Sequence, residues 1–315
     1  MIFVAQHRGE FLANIAAELD ETVARQAAHG TAGQIITRQL ARGHDWMVCD
    51  VLCTFGPQDR PFEEKAPCVF ITVVVAGSFH CRSVAGSNLL APGSLMLGHA
   101  NQCFERRLEP GSGVRCLSFR YAPGYFERLK ADTGARARRP AIGVLRLPPS
   151  RPLSPLVAQA YAGLTVSLGV PWEELSVQVA AESVRIVEDL PSDWGSVPPG
   201  ATARIATAVR FIERYLGTRL TLSDLAREAG LSRFHFLRTF ERLVGVTPHR
   251  YILRARLREA AMRLEAESTG ILDIALDCGF SDLSNFSRAF RAEFGVSPRV
   301  YRGATKAGLG EVRGK

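Results

Sequence analysis

The segment Leu222–Tyr251 reads LSDLAREAGLSRFHFLRTFERLVGVTPHRY, and Leu272–Tyr301 reads LDIALDCGFSDLSNFSRAFRAEFGVSPRVY. The two stretches share one pattern, with a residue added in the second copy after the glycine. The matched pairs are Leu225 with Ile274, Ala226 with Ala275, Gly230 with Gly279, Phe240 with Phe290, Gly245 with Gly295, Pro248 with Pro298 and Tyr251 with Tyr301. The last third of the 315-residue chain therefore contains one structural unit twice.

Each copy predicts two helices joined by a tight turn. The first helix ends at Gly230 or Gly279, because glycine readily takes the left-handed conformation that such a turn requires. Ser232 or Ser281 then stands where the second helix needs an N-cap. Each second helix has two phenylalanines four residues apart, which predict its buried side: Phe236 and Phe240, and Phe286 and Phe290.

The outward side of each second helix follows from the same spacing. Arg238 lies two residues from Phe236, about 200° around the helix, so it is predicted to face outward. Phe234 and Leu237 lie near that side in the first copy. Ser284, Asn285, Ser287 and Arg288 do so in the second. An alternative interpretation is a helical hairpin used only for packing, with the arginines as solvated surface residues.

The segment between the copies, from Pro248 to Glu267, predicts one long helix. It measures about 30 Å at 1.5 Å per residue. That length is close to the ~34 Å between successive major grooves on one side of DNA. A rigid spacer of this length is expected to present both second helices to the same side of a duplex.

The charge of the chain is concentrated in this segment. Residues 1–200 hold 19 basic and 19 acidic residues, whereas residues 201–315 hold 20 and 12, which accounts for the whole net charge of +8. Such a local excess indicates a polyanionic partner, most often nucleic acid, and a solvated basic surface is the alternative. Only four basic residues are lysines, and arginine suits forked contacts to phosphate and guanine.

Residues 204–302 resemble the DNA-binding domain of the AraC/XylS family of bacterial transcription regulators. The matching residues include Arg256-Leu257, Ala260 and Leu264 in the spacer and the run from Phe294 to Pro298 in the second copy. The resemblance implies DNA contacts from the exposed positions of both second helices, namely Arg233, Phe234, His235, Leu237, Arg238, Ser284, Asn285, Ser287 and Arg288. Leu237 departs from the polar residue often found there, and contact with a thymine methyl suits it better.

The resemblance also implies a function and partners. A regulator of this kind binds double-stranded promoter DNA, activates more often than it represses, and as an activator has RNA polymerase as a partner. Family members place a sensing or dimerisation domain before the DNA-binding part. A small-molecule effector and a homodimer are therefore expected.

The domain boundary is predicted at Pro191–Gly200, PSDWGSVPPG, because its prolines and glycines cannot continue a helix or strand. Residues 1–190 are then the sensing and dimerisation domain, 201–303 the double helix-turn-helix domain and 304–315 a flexible basic tail. The fold class is α+β.

The first 190 residues combine helical and strand patterns. Residues 9–28 place apolar residues at helical spacing, and residues 152–168 and 171–190 indicate two more helices. Five β-branched or aromatic stretches separated by turns predict a small barrel or sandwich: WMVCDVLCT, CVFITVVV, SFHCRSV, SLMLG and GVRCLSFR. The resemblance implies a cupin-like barrel over about 34–122, followed by helices, about 152–190, that pair two chains.

Seven cysteines are expected to be thiols, since the start of the chain, MIFVAQHRGEF, has no export signal. Cys49 and Cys53 are four apart in a predicted strand and share a face, and Cys68, Cys81, Cys103 and Cys116 also fall in predicted strands. Buried thiols in a core are the first interpretation, and a thiol- or metal-responsive regulator is the alternative, although no CxxC pair is present. His80 and His99 are interpreted as surface or core residues, so no metal or cofactor is predicted.

The remaining patterns exclude several classes of protein. No apolar run approaches the roughly 20 residues that span a bilayer, so a cytoplasmic protein without a membrane partner is expected. No nucleophile, base and acid stand in a recognisable catalytic pattern, and the chain is predicted not to be an enzyme. A cupin-type enzyme domain tethered to DNA is kept as the alternative. The main prediction is a sequence-specific transcription regulator, controlled by an effector or by dimerisation.

Overall fold

A computed structural model describes residues 11–55, 62–84, 86–109, 112–133, 145–165, 170–188 and 200–303. The helices are α1 Phe11–His29, α2 Pro123–Asp132, α3 Ser154–Thr165, α4 Trp172–Glu188, α5 Ala201–Arg214, α6 Leu222–Glu228, α7 Arg233–Val244, α8 Pro248–Ala266, α9 Ile271–Asp277 and α10 Leu283–Phe294. The strands are β1 Ile35–Arg42, β2 Trp46–Cys53, β3 Phe62–Lys65, β4 Val69–Gly77, β5 Phe79–Ser83, β6 Gly86–Leu90, β7 Leu95–Gly98, β8 Cys103–Arg107, β9 Val114–Tyr121 and β10 Leu145–Leu147.

The strands form two antiparallel sheets. The larger has the order β1-β2-β9-β4-β7-β10, and the smaller has the order β3-β8-β5-β6. At the centre of the larger sheet, β9 pairs with β2 and β4, and the register with β4 shifts between Val74 and Ala76. Over the described residues the sheets are not hydrogen-bonded into one closed ring, so the cupin-like barrel stays a prediction.

The larger sheet is buried on both faces, as the alternation along β9 shows. Leu117, Phe119 and Tyr121 belong to the core that the sheet forms with the helices. Val114 and Cys116 belong to a second core between the two sheets. Because successive side chains of a strand point to opposite faces, β9 separates these two cores. The five predicted strand segments are confirmed as β2, β4, β5, β7 and β9, although Cys68 lies one residue before β4 rather than in it.

The C-terminal part is helical, as predicted, and contains both expected turns. Gly230 and Gly279 have φ of 61° and 86°, the left-handed conformation assigned to them. Ser232 caps α7. The assignment of Ser281 as the second cap is wrong, because Asp282 occupies the N-cap and accepts the backbone N–H of Asn285. The added residue in the second copy shifts the cap by one position.

The N-terminal and C-terminal parts share one apolar core. It runs from residues of the larger sheet to α5 and α7, and includes Ile15 and Leu19 of α1. Ala158 of α3 packs with Leu257 and Ala261 of α8. A helix that the resemblance assigns to pairing two chains is thus packed within its own chain. The predicted linker, residues 191–199, and the tail, residues 304–315, lie outside the described residues. No helix among the described residues has an apolar stretch long enough to cross a membrane.

Candidate nucleic-acid interface

Helix α7 presents most of its predicted contact residues to solvent. Arg233, Phe234, His235 and Arg238 are exposed, and Leu237 is half-buried beside the core residue Phe236. The Phe234 ring is 64% exposed, and the guanidinium carbon of Arg238 lies 5.6 Å from its centre. A cation over an aromatic face is attracted by the ring quadrupole. The pair therefore holds the arginine against the outward face of the helix.

Helix α10 presents the equivalent face. Ser284, Asn285 and Arg288 are exposed and Ser287 is half-buried, whereas Phe286 and Phe290 are fully buried. The cap is the main electrostatic difference from α7. The backbone N–H of Asn285 donates to Asp282 and holds the pKa of that carboxyl below its usual range. The start of α10 therefore has a carboxylate where α7 has a neutral serine.

We call α7 and α10 the reading helices, and each ends a three-helix unit. The first unit is α5–α7 and the second is α8–α10. An arginine from the first helix of each unit donates to the carbonyl of the turn glycine. Arg204 Nη1 reaches Gly230 O at 2.6 Å, and Arg256 Nη1 reaches Gly279 O at 2.9 Å.

A tyrosine–glutamate pair is also repeated. Tyr251 Oη donates to Glu213 at 2.8 Å, and Tyr301 Oη donates to Glu265 at 2.6 Å. Burial raises the pKa of both carboxyls, and the tyrosine hydrogen bonds only partly offset this. Arg256 follows Arg204 by 52 residues, and Glu265 follows Glu213 by the same 52. This offset is the signal that sequence reasoning missed, and it extends the repeat back to the first helix of each unit.

The spacer between the reading helices is confirmed as the single helix α8. Its 19 residues correspond to about 28 Å at 1.5 Å per residue. Arg263 is buried in it and forms ion pairs with Glu267 at 3.1 Å and with Asp277 of α9 at 2.9 Å. Helix α9 is thereby fixed to α8 by a charged contact as well as by apolar contacts.

The N-terminal part contacts both reading helices at their C-terminal ends. Arg146 of β10 is buried and donates from Nη1 to Leu243 O of α7 at 2.7 Å. Burial lowers the pKa of its guanidinium to about 10. Arg254 of α8 forms an ion pair with Glu293 of α10 at 3.0 Å. Its Nη1 also donates to the carbonyl of Pro149 at 2.6 Å. The predicted contact residues lie in the first half of each reading helix and remain open.

A third contact joins the sheet to the spacer helix. Tyr161 of α3 donates to Val74 O at 2.5 Å and accepts the backbone N–H of Gly93 at 3.1 Å. The buried guanidinium of Arg258 lies 5.9 Å from the Tyr161 ring centre, and its Nη2 is 3.4 Å from Pro92 O. We call the contacts of Arg146, Arg254 and Arg258 with the other part of the chain the junction.

The cysteines and histidines do not gather into a metal site. No group of three or more potential metal-ligating side chains occurs in the described ranges. All seven cysteines are free thiols there, and only Cys103 is exposed. His80 is hydrogen-bonded to Ser87, and the His99 ring meets the edge of Phe126 at 5.9 Å. The thiol- or metal-responsive alternative stays a hypothesis.

Comparison with known proteins assigns both parts of the chain. Residues 225–304 match the family described as "Helix-turn-helix domain", and residues 32–163 match "Regulatory protein PchR N-terminal domain". The transcriptional activator AarP of Providencia stuartii is 37% identical over 98 residues, which are 31% of this chain and 73% of AarP. The activator RhaS of Escherichia coli is 34% identical over 102 residues, 32% of this chain and 37% of RhaS.

A solved AraC-type regulator from Chromobacterium violaceum is 32% identical, with a TM-score of 0.32, and the match covers 34% of this chain and 96% of that one. AarP and RhaS are named as transcriptional activators, and neither is named as an enzyme. The duplicated helical units and the match to most of AarP lead to the same assignment. The chain belongs to the AraC/XylS family of DNA-binding transcription regulators.

Proposed function

We propose that the two reading helices enter successive major grooves of a promoter. The observation that carries the proposal is that both helices expose the same face, while hydrogen bonds that tie them to the N-terminal part lie at their C-terminal ends. An α-helix fits the major groove, and a spacer of about 28 Å suits the ~34 Å repeat of the duplex. The net positive charge of the segment favours approach to phosphate.

The exposed residues suit different parts of the groove. The chemistry of Arg238 and Arg288 suits the O6 and N7 of guanine through two hydrogen bonds, and that of Asn285 suits adenine in the same way. Phe234 and Leu237 are apolar and suit the methyl group of thymine. Arg233, His235, Ser284 and Ser287 flank these positions and suit phosphate or base contacts.

Methylation interference with the full chain tests this arrangement. Guanine N7 methylation is expected to block binding at two clusters about one helical turn apart. Arg238→Ala is expected to remove the interference at one cluster and Arg288→Ala at the other. Arg185→Ala, at an exposed arginine of α4, is the control. Interference confined to a single cluster that neither reading-helix variant alters would contradict the proposal.

We further propose that residues 1–190 control this binding. The proposed division is a sensing and dimerisation domain, a linker at 191–200, the DNA-binding domain at 201–303 and a tail at 304–315. The junction supports control, because an effector or a second chain that moves the N-terminal part displaces the ends of both reading helices. The names of AarP and RhaS support activation, with RNA polymerase as the partner.

Pairing of two chains is tested by sedimentation of the full chain with and without an operator fragment. A mass of two chains per operator is expected. A single chain bound at saturation would contradict dimerisation and would leave groove reading by one chain intact.

A further inference from the structure

A cavity of about 220 Å³ lies between the two sheets of the N-terminal part. Its wall on the larger sheet comes from the inward face of β9, with Cys116, Ser118 and Arg120, and from Phe70 and Thr72 of β4. Phe104 and Arg106 of β8 form the opposite wall. The cavity is thus an extension of the core between the sheets.

The inner part of the cavity is lined by apolar side chains, and its outer end is open to solvent. Met96 and Cys116 are almost fully buried, and Phe70 and Phe104 place their ring centres 5.7 Å apart. Ile35, at the outer end, is 43% exposed. An apolar cavity of about 150 Å³ holds one benzene molecule, so this one has room for an aromatic ring with a short side chain.

The described lining of the cavity contains two guanidinium groups, those of Arg120 and Arg106. Arg120 is half-buried, and among the described residues its one hydrogen bond runs from Nε to Ser118 Oγ, at 3.4 Å. No ion pair joins it to a carboxylate of those residues. The guanidinium of Arg106 lies 5.0 Å from the centre of the Phe79 ring.

The neighbouring thiols do not neutralise Arg120. Its charge favours the thiolate forms of Cys49 and Cys68, but burial outweighs this and raises the pKa of both groups. Both remain neutral at pH 7, and the described lining contains no acidic side chain. A half-buried guanidinium with unused donors, set beside an apolar cavity, matches an anion attached to an apolar body.

We propose that this cavity binds a small apolar carboxylate, with the carboxylate on Arg120 and the apolar body between Phe70, Phe104 and Met96. The hydroxyl groups of Ser118 and Thr72, 3.5 Å apart, are within the same lining and add donors for the carboxylate. The inference rests on the proposed control by an effector and names the chemical class of that effector.

Titration calorimetry of the full chain tests the site with two probes of one shape, phenylacetate and its neutral amide, phenylacetamide. Phenylacetate is expected to bind once per chain and at least about tenfold more tightly than the amide, because a good charge-assisted contact is worth at least that ratio. Arg120→Met is expected to abolish the preference. Arg107→Met, at an exposed arginine of β8 outside the lining, is expected to keep it.

A second measurement needs no variant. Cys68 lines the cavity and Cys103 is exposed outside the lining, so phenylacetate is expected to slow modification of Cys68 by a small thiol reagent and to leave Cys103 unchanged. Equal binding of the two probes, binding of neither, or an undiminished preference in Arg120→Met overturns the site.

Operator binding by the same preparations separates this inference from the proposed function. If phenylacetate binds with the Arg120-dependent preference and DNA affinity does not change, the carboxylate site stands and its control of DNA binding fails. If DNA binding is normal and neither probe discriminates, the site fails and DNA reading stands.

Discussion

At the scale of single residues, Arg238 carries the sharpest prediction. Arg238→Ala is expected to lower operator affinity by more than about tenfold at fixed salt, in line with ~1–3 kcal/mol per good base contact. The variant also loses the contact that holds the guanidinium over Phe234. Fluorescence anisotropy with an operator fragment measures the loss, and Arg185→Ala serves as the control. Unchanged affinity would refute the role of Arg238 in reading DNA.

Residue positions on the reading helices were predictable because helical geometry fixes them. Once Phe236 and Phe240 are assigned to the core, Arg238 has to face away from it. The second cap was not predictable in the same way. Ser281 and Asp282 are adjacent and both can cap a helix, so only backbone geometry decides between them.

At the scale of helices and their ends, two matched glycines allow two effects of a substitution to be compared. One effect is backbone strain at the helix end, and the other is a clash with the N-terminal part. Gly245 and Gly295 end the reading helices with φ of 86° and 80°. Alanine costs roughly 1–2 kcal/mol at either position, because the left-handed conformation crowds its side chain. A side chain at Gly245 also meets Pro148 at 2.6 Å, whereas no atom of the described residues lies within 4 Å of one at Gly295.

Gly245→Ala is therefore expected to lower the free energy of unfolding by at least about 1 kcal/mol more than Gly295→Ala. Urea unfolding of the two full-length variants under the same conditions measures the difference. Equal losses would show that the α7 end is not packed against β10 as described.

The repeated tyrosine–glutamate pair gives a pH dependence. Burial raises the pKa of Glu265 above its usual 4.5, so the folded state binds that proton more tightly than the unfolded state. Its contribution to stability is fully present below the unfolded pKa and is lost as pH rises through the folded pKa. The free energy of unfolding of the wild type is therefore expected to gain this contribution as the pH falls towards 4.5.

Glu265→Gln is expected to remove that contribution and flatten the dependence of unfolding free energy on pH over this range. Glu241→Gln, at an exposed position of α7, is the control and should leave the slope unchanged. Urea unfolding at several pH values gives both slopes, and an identical slope in Glu265→Gln and the wild type would contradict the raised pKa.

The strands show why elements are harder to predict than helical repeats. The stretches that form β2, β4, β5, β7 and β9 are recognisable in the sequence because they are rich in apolar residues. They are apolar because one or both faces of each strand are buried. The segments of β1, β3 and β8 are rich in charged residues, IITRQLAR, FEEK and CFERR, and their pairing is set by neighbouring strands. The alternation of apolar and polar residues identifies the buried face of a strand, but it does not identify the strand with which it pairs.

At the scale of the whole molecule, the DNA-binding part is expected to act alone. Residues 200–303 contain both units and their spacer, and the 98 residues matched in AarP make up 73% of that protein. The isolated fragment should therefore bind an operator within about tenfold of the affinity of the full chain. Footprinting of both proteins on one operator measures this. An inert fragment that is folded by circular dichroism would contradict the modular arrangement.

The junction was not predictable from the sequence. Arg146, Arg254 and Arg258 are charged residues that any pattern analysis assigns to solvent, yet Arg146 and Arg258 are almost fully buried. Their hydrogen bonds across the junction go to the backbone carbonyls of Leu243, Pro149 and Pro92, and every residue has such a carbonyl whatever its type. Contacts of this kind become visible only when distant segments are placed together.

The attachment of both reading helices to one N-terminal body has a consequence for the control that we propose. A rotation of that body is expected to shift the C-terminal ends of α7 and α10 together, because Arg146 is bonded to Leu243 of α7 and Pro149 is joined through Arg254 to Glu293 of α10. Under the function that we propose, both reading helices would then enter or leave their grooves together. The fraction of promoter bound by the protein would then change in one step instead of in two separate stages.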